Sequence, residues 1–242
     1  MKPLPACHVL VTPTSYGKHD AALRSELEAS VGRVTYNPTT RPLTSAQLQT
    51  LLKDVDGCIA GLDALDAAAL AAAPNLRVVA RYGVGVDNVD LAAARAAGVV
   101  VTNTPGANAG SVAELAIALM LDLLRPILPA AAQTRAGGWP RLSGQTLEGK
   151  TVGIVGLGAI GRGVSQRLSG FGCRVLAFDV VVDAAFAAHW GVEVLAMDDL
   201  LAQADIVSLH LPVLPATRGL VNAGFLAQMK PGAYLVNTSR GK

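Results

Sequence analysis

The sequence predicts an α/β protein in which parallel β-sheets are covered by helices on both faces. Two observations predict this fold class. Short apolar runs alternate with helical stretches along the chain, which is the order expected of parallel strands joined by helical crossovers. A glycine-rich turn from Gly156 to Gly161 also lies between an apolar run and a helical segment. At 242 residues, 51% of them apolar and 16% charged, the chain can form one large or two ordinary globular domains.

The segment 1–102 contains five short apolar runs that we interpret as strands, at 8–12, 34–36, 57–60, 77–81 and 99–102. Between them the pattern predicts helices at 20–29, 44–55, 66–73 and 91–97. The second helix opens with Thr44-Ser45-Ala46-Gln47, which has the spacing of a capping box. We expect this segment to be the first domain.

The segment 103–242 is expected to be the second domain, with the boundary near Asn103. After a loop at 103–110, Ser111 and Glu114 form a second predicted capping box. The helix that they open is apolar almost all round and is expected to be buried on several sides until Pro126 ends it. Further strands and helices then alternate: strands at 152–155, 174–178, 205–211 and 233–237, and helices at 160–170, 198–203 and 222–229.

The turn Gly156-Leu157-Gly158-Ala159-Ile160-Gly161 has the pattern of a dinucleotide-binding loop. Gly156 permits the tight turn, Gly158 lets the backbone approach a pyrophosphate, and Gly161 lets the helix pack closely on the strand. Asp179 follows Gly161 by 18 residues, near the usual spacing of about 20 for the carboxylate that binds the ribose hydroxyls. Because Asp179 is followed by three valines and no arginine, NAD is favoured over NADP.

Two other regions contain candidate ligand-binding groups. In the segment 81–90, the amides of Val84 and Gly85 could bind a small anion such as a carboxylate. A plain glycine-rich turn with Asp90 as an N-cap explains the same spacing equally well. Leu211-Pro212 and the segment 238–240 follow predicted strands, so they should lie at the carboxyl edge of the sheet beside the glycine turn.

Composition argues against several other classes of protein. A net charge of +2 gives no basic surface for nucleic acid. The cysteines, Cys7, Cys58 and Cys173, lie far apart in apolar runs, which predicts buried thiols and neither disulfides nor a metal site. No apolar stretch has the length of a membrane span, and the N-terminus lacks the core of a signal peptide. We therefore expect a soluble cytoplasmic protein.

Five motifs together resemble the D-isomer-specific 2-hydroxyacid dehydrogenases, in particular the D-3-phosphoglycerate dehydrogenase branch. The motifs follow one another in the family's order along the chain: RYGVGVDNVD (81–90), NTPGANAGSVAEL (103–115), GLGAIG (156–161), HLPVLPATRGLVN (210–222) and VNTSRG (236–241). The resemblance implies two doubly wound domains, a flavodoxin-like substrate domain and a Rossmann NAD domain, with the active site in the cleft between them. It also implies a homodimer built through the NAD domains, with the helix 111–125 involved.

The resemblance assigns roles to individual residues. It implies that the Val84 and Gly85 amides bind the substrate carboxylate, and that Arg240 is the catalytic arginine, whose planar guanidinium can donate two parallel hydrogen bonds. It implies that NAD is contacted by the glycine turn and by residues near it, which are Gly156, Gly158, Ala159, Ile160, Gly161, Asp179, Leu211, Pro212, Thr238, Ser239 and Arg240. The implied reaction interconverts a D-2-hydroxy acid and a 2-oxo acid, with 3-phosphoglycerate and 3-phosphohydroxypyruvate as one candidate pair.

The sequence departs from the family pattern in two places. The loop after the third strand, residues 60–63, contains no cation for a substrate phosphate, which leaves Arg81 as a candidate contact. The family's glutamate and histidine, which handle the substrate proton, would lie beyond Lys242. We therefore expect these 242 residues to be part of a longer polypeptide and inactive alone, with His210 a weak substitute for the acid. A non-catalytic NAD-binding protein is the alternative hypothesis; other Rossmann enzymes would not have VNTSRG.

Overall fold

The computed structural model describes residues 2–241, which form two compact units divided after Ala107. The first unit is a five-stranded parallel sheet with helices between successive strands. Its strands are β1 (His8–Val11), β2 (Arg33–Tyr36), β3 (Gly57–Ala60), β4 (Val78–Arg81) and β5 (Val100–Thr102). Its helices are α1 (Ala22–Ser30), α2 (Ser45–Leu51), α3 (Ala67–Ala71) and α4 (Leu91–Ala96). The strand order β2-β1-β3-β4-β5 is that of the flavodoxin-like fold, as the family resemblance implied.

The second unit begins with two helices, α5 (Ala109–Leu124) and α6 (Ile127–Arg135), and continues as a second five-stranded parallel sheet. Its strands are β6 (Thr151–Val155), β7 (Arg174–Phe178), β8 (Val192–Val194), β9 (Ile206–Leu209) and β10 (Tyr234–Asn237). Its other helices are α7 (Ala159–Leu168), α8 (Ala184–Trp190), α9 (Met197–Gln203) and α10 (Ala223–Gln228). The order β10-β9-β6-β7-β8 is the Rossmann arrangement, so the predicted fold class is confirmed.

Buried aliphatic side chains cover both faces of the second sheet. One cluster joins the sheet to α5 and α7, and it contains Met120, Ile154 and Val164 at no exposure. The other joins the sheet to α9 and α10 and contains Leu200 and Val207. Burial on both faces explains why these strands are continuous apolar runs and do not alternate with polar residues.

Local signals placed some helix starts correctly and one wrongly. Thr44 caps α2 as predicted, with reciprocal hydrogen bonds between Thr44 and Gln47. The predicted capping box at Ser111 is wrong, because α5 already begins at Ala109 and its N-cap makes no side-chain hydrogen bond. Glu114 instead forms an ion pair with Arg167 of α7, 2.8 Å between Oε1 and Nη2.

In the single chain, α5 is buried along one side, and its burial on several sides stays a prediction. Leu115, Leu119 and Leu123 lie one turn apart and are 53%, 39% and 43% exposed, so one apolar face is open. Within the described residues, no single helix has the length and hydropathy of a membrane span. The bent pair α5 and α6 passes that test only when the two helices, which meet at 71°, are taken together.

Candidate functional site

The glycine turn connects β6 to α7 in the way that its sequence predicts. Gly156 has a φ of +98°, a backbone conformation that other residues rarely adopt. A Cβ atom on Gly156 would also lie 2.7 Å from the carbonyl oxygen of His210, at the end of β9. Only glycine therefore permits this turn and its close approach to the neighbouring strand.

The other two glycines have different surroundings. A Cβ on Gly161 would lie 2.0 Å from the carbonyl oxygen of Gly156, so this glycine sets how closely α7 approaches the turn. A Cβ on Gly158 would meet no atom within 4 Å, so open space borders the backbone there. The amides of Gly158, Ala159 and Ile160 donate to no acceptor among residues 2–241. Outward amides at a helix N-terminus, beside open space, suit the phosphates of a dinucleotide.

Asp179, directly after β7, lies beside this turn. Its carboxylate accepts hydrogen bonds from the amide of Leu157, at 2.6 Å, and from the amide of Val181, at 3.1 Å. These bonds fix the carboxylate at the carboxyl edge of the sheet, where a ribose would be bound next to the phosphates. Val180 and Val181, which follow Asp179, are 89% and 76% exposed.

Sequence reasoning missed Arg162, which directly follows Gly161 in the first turn of α7. Its Nε donates to the carbonyl of Leu157 at 3.1 Å, and its Nη1 pairs with Asp183 at 2.9 Å. The Asp183 pKa is lowered chiefly by the amide of Phe186 and also by Arg162. An arginine is thus close to the ribose end of the site, but an acidic neighbour already binds it. Arg162 precedes Asp179 in the sequence, so a search for basic residues that was limited to the segment after Asp179 could not find this arginine.

A cavity of about 260 Å³ lies at the carboxyl ends of β9 and β10. Four of the sequence-predicted cofactor residues line it: Leu211, Pro212, Ser239 and Arg240. Two buried polar atoms nearby, His210 Nδ1 and Thr238 Oγ1, have no hydrogen-bond partner among the described residues. Unsatisfied buried polar atoms beside a cavity are consistent with a ligand that supplies the missing partners.

The backbone that carries Arg240 is fixed by Asn237. The Asn237 side-chain oxygen accepts from the Ser239 amide at 2.9 Å, and its amide group donates to the Arg240 carbonyl at 2.8 Å. The Arg240 side chain is exposed, and its Nη1 donates to the carbonyl of Ser239 at 2.9 Å. Arg240 thus lies just after β10 and lines the cavity.

His210 does not have the properties of a proton donor. Burial lowers the pKa of its imidazole from the ordinary 6.5 to about 4, so the ring is neutral at physiological pH. Its Nε2 lies 3.0 Å from Ser208 Oγ within the same strand region. The surroundings of His210 therefore do not support the weak prediction that it acts as the proton donor.

In the first unit, the loop after β4 brings Val84 and Gly85 together with Arg81. The amides of Val84 and Gly85 donate to no acceptor in the described part of the chain. Arg81 is only 4% exposed, and its donors bind the carbonyls of Ala60, Gly61 and Gly85. These bonds direct the Nε and Nη1 donors of Arg81 to main-chain oxygens, and a contact between Arg81 and a substrate phosphate stays a prediction.

The chain matches known proteins over both units. Residues 117–242 match the family model of the D-isomer specific 2-hydroxyacid dehydrogenase NAD-binding domain. D-3-phosphoglycerate dehydrogenase of Mycobacterium bovis is 52% identical over 179 residues, which are 73% of this chain but 34% of that protein. The chain thus spans about a third of the length of this curated relative.

Solved structures with this fold include two oxidoreductases. The pyruvate reductase of Chlamydomonas reinhardtii superposes with a TM-score of 0.83 at 33% identity, covering 98% of this chain and 70% of that one. The D-lactate dehydrogenase of Aquifex aeolicus, complexed with NAD and lactic acid, gives 0.82 at 28% identity, covering 97% and 69%. The glycine turn, Asp179 and the cavity at β9 and β10 are accordingly features of an NAD domain. This chain belongs to the D-isomer specific 2-hydroxyacid dehydrogenases, and its second unit contains their NAD-binding domain.

Proposed function

We propose that the protein containing this chain is an NAD-dependent oxidoreductase that interconverts a D-2-hydroxy acid and the corresponding 2-oxo acid. The observation that carries the proposal is the position of Arg240. Arg240 follows β10 and lines a cavity together with Leu211 and Pro212 in an NAD-binding domain. A cation at that edge suits an anionic substrate that must approach the nicotinamide.

Each residue of the site has a separate task in this reaction. Bound NADH supplies the hydride, and a 2-oxo acid additionally takes up one proton to become a 2-hydroxy acid. Arg240 donates two parallel hydrogen bonds to the carboxylate and carbonyl side of the substrate, which stabilises the charge that develops on the carbonyl oxygen. Asp179 binds the ribose hydroxyls, and the amides of Gly158, Ala159 and Ile160 bind the pyrophosphate.

The loop at 83–86, in the first unit, contains a second candidate anion site. The amides of Val84 and Gly85 are unpartnered within residues 2–241, and neither a helix nor a strand uses them. Adjacent outward amides form a small concave anion site, and a carboxylate has the size and charge for it. We therefore propose that these amides bind the carboxylate of the 2-oxo acid.

The proton donor is proposed to be none of the four histidines of the chain. His210 is buried and neutral, His8 is buried against Thr35 and Asp54 at the opposite end of its strand, and His19 and His189 are surface residues. We expect the 242-residue chain alone to bind NADH without measurable turnover. In this proposal, the described residues bind NADH, and other residues transfer the proton.

The proposed first substrate is 3-phosphohydroxypyruvate, because the phosphoglycerate dehydrogenase of Mycobacterium bovis is 52% identical. The loop at 60–63 contains no cation and Arg81 is bonded internally, so unphosphorylated 2-oxo acids belong in the same assay. The enzyme encoded by the complete reading frame should oxidise NADH with at least one of them, followed by NADH absorbance.

Arg240→Lys tests the assignment. It should keep NADH affinity while kcat/KM falls roughly a hundredfold or more, because an ammonium cannot donate two parallel bonds. Arg218→Lys, in the exposed loop before α10, is the matched control. Equal kcat/KM for Arg240→Lys and wild type would contradict the role of Arg240. NADH binding without turnover on any 2-oxo acid would support a non-catalytic NAD-binding protein.

The protein is further proposed to be a homodimer through the open face of α5. Leu115, Leu119 and Leu123 form an apolar stripe on that face, and α6 adds Ile127 and Leu128, which are 52% and 69% exposed. Exposed apolar side chains that follow one another along a helix face are typical of subunit contacts.

A cytoplasmic location is proposed from the cysteines. Cys7, Cys58 and Cys173 are all free. Burial raises the pKa values of the Cys58 and Cys173 thiols, which keeps them protonated and unreactive. Free thiols in apolar surroundings are typical of proteins in a reducing compartment.

A further inference from the structure

The loop at 83–86 turns three consecutive carbonyls inward. The carbonyl of Gly83 accepts from the amide of Thr104 at 3.1 Å, and that of Val84 accepts from the Asn103 side-chain amide at 2.7 Å. The carbonyl of Gly85 accepts from Arg81 Nε at 2.9 Å. Each of these three carbonyls therefore has a hydrogen-bond partner within the first unit, and the carbonyl of Val86 accepts from the amide of Val89 at 3.0 Å.

The direction of each carbonyl determines the direction of the next amide. In a planar trans peptide, the C=O of one residue and the N–H of the following residue point to opposite sides. The hydrogen bond between the Val84 carbonyl and Asn103 therefore directs the Gly85 amide away from Asn103. In the same way, the hydrogen bond between the Gly85 carbonyl and Arg81 directs the Val86 amide away from Arg81. Like the other two amides, that of Val86 donates to no acceptor among the described residues.

Arg81 also connects this loop to the loop after β3. Its Nη1 donates to the carbonyls of Ala60 and Gly61, while its Nε reaches Gly85. The Asn88 side-chain amide adds bonds to the carbonyls of Gly61, at 3.1 Å, and Asp63, at 2.7 Å. The guanidinium thus joins two loops at the carboxyl edge of one sheet.

The loop after β3 is itself anchored by a buried carboxylate. Asp63 is fully buried and accepts from the amides of Leu43, at 2.7 Å, and Gly61, at 3.0 Å, and from the Thr12 hydroxyl. Because these partners belong to different parts of the unit, the carbonyls that Arg81 binds cannot shift freely. Because Arg81 is bound to the anchored loop after β3, it holds the Gly85 carbonyl in a fixed position.

We infer that Arg81 and Asn103 are positioning residues that orient the Gly85 and Val86 amides for the substrate carboxylate, and that Val86 is a third donor of this anion site. The inference rests on the proposed function of the loop. Neither side chain touches the substrate, so their loss weakens carboxylate binding in every 2-oxo acid. A direct phosphate contact by Arg81 would instead favour phosphorylated substrates alone.

The test uses the complete enzyme with 3-phosphohydroxypyruvate and its unphosphorylated counterpart hydroxypyruvate. The variants are Asn103→Ala, which removes an exposed side chain, and Arg81→Lys, which keeps the charge but cannot reach both loops. The controls are Asn75→Ala and Arg77→Lys, two exposed residues that precede β4, at the amino end of the strand. The readouts are KM, kcat, inhibition by oxalate, and NADH affinity from fluorescence.

We expect KM and the oxalate inhibition constant to rise roughly tenfold in both variants, as for the loss of one hydrogen bond to a charged ligand's site. The rise should be equal for the two substrates, with NADH affinity unchanged and kcat within about threefold of wild type. A merely structural role would lower stability without this KM-specific, substrate-independent change. Wild-type values for Asn103→Ala would overturn the inference even if Arg81→Lys failed to fold.

A loss confined to the phosphorylated substrate in Arg81→Lys would identify Arg81 as a phosphate ligand and also overturn the inference. Failure of the proposed function has a different signature, because the wild-type enzyme would then reduce no 2-oxo acid at all. NADH oxidation by the wild type with each 2-oxo acid, measured before any variant is made, separates the two cases.

Discussion

Two alanine substitutions in the glycine turn should separate folding from cofactor binding. Gly158 and Gly161 belong to the same motif, but a Cβ would meet open space at the first and the Gly156 carbonyl oxygen, 2.0 Å away, at the second. Gly161→Ala should therefore destabilise the fold, while Gly158→Ala should weaken NADH binding without destabilising it. A control variant, Gly170→Ala, adds a methyl group to open space outside the turn.

The magnitude for Gly161→Ala follows from the contact distance. Cβ atoms essentially never lie within 3.0 Å of another heavy atom, so α7 and the turn must separate by about 1.0 Å. Forcing extra atoms into a packed region costs about 1–3 kcal/mol. The free energy of unfolding should fall by that amount, and NADH affinity should fall too, because the amides of Ala159 and Ile160 move with the helix.

Gly158→Ala involves two small opposing effects on stability. Gly158 is the N-cap of α7 at φ −72° and ψ −165°, a conformation that alanine can adopt. Alanine is the poorer cap, which lowers the free energy of unfolding by about 0.5–1 kcal/mol. It also makes the unfolded chain less flexible, which raises the free energy of unfolding by about 0.4–1 kcal/mol. Stability should therefore change by less than about 0.5 kcal/mol, while the methyl group lies where the pyrophosphate must approach.

The assay combines urea unfolding with NADH fluorescence titration for the three variants. We expect NADH to bind at least about tenfold more weakly to Gly158→Ala, with wild-type stability. Gly170→Ala should match the wild type in both measurements. Wild-type NADH affinity in Gly158→Ala would refute the placement of the pyrophosphate at this turn. Wild-type stability in Gly161→Ala would refute the packing argument.

Three further predictions follow from the same geometry. Asp179→Ser should lower the preference for NADH over NADPH at least about tenfold in fluorescence titrations, because it removes the carboxylate that repels a 2′-phosphate; an unchanged ratio would exclude Asp179 from the ribose site. Because the His210 pKa is about 4 when folded and near 6.5 when unfolded, the unfolded chain takes up the proton first as pH falls. The neutral histidine therefore contributes up to about 3 kcal/mol to the free energy of unfolding above pH 6.5, and this contribution is lost as the pH falls toward 4. In His210→Gln, the free energy of unfolding from urea titrations should depend less steeply on pH in that range. An equally steep dependence would contradict the low pKa of His210. Leu119→Glu should shift the species seen in sedimentation velocity from dimer to monomer, whereas Leu226→Glu, on the exposed face of α10, should not; a Leu119→Glu dimer would contradict the proposed interface.

Features that depend on neighbouring residues could be predicted from the sequence. The Thr44 capping box and the Gly156 turn are both local, since each needs only a few residues and a fixed backbone geometry. The position of Asp179 beside the turn could be predicted as well, because two adjacent parallel strands end at the same edge of the sheet.

Features that depend on tertiary contacts could not be predicted. Helix α6 was not predicted, although the end of α5 at Pro126 was. Pro126 is the N-cap of α6, a position where proline is tolerated because its missing amide hydrogen is not needed there. The three-residue strand β8 is too short to show a periodicity, although Gly191, at a φ of +64°, marks the end of the helix before it. The burial of Arg81 depends on carbonyls of another loop, which no local pattern encodes.

The two proposed anion sites, one in each unit, share one physical basis. At 158–160 a helix N-terminus leaves the amides of Gly158, Ala159 and Ile160 without acceptors, and at 84–86 the inward carbonyls leave three successive amides in the same condition. In both cases the anion is bound by main-chain donors, so the side chains that matter are those that fix the backbone. This explains why Arg81, the cation that sequence analysis selected as a ligand, is buried and bonded to carbonyls. A charge that determines backbone orientation contributes to anion binding without contacting the anion.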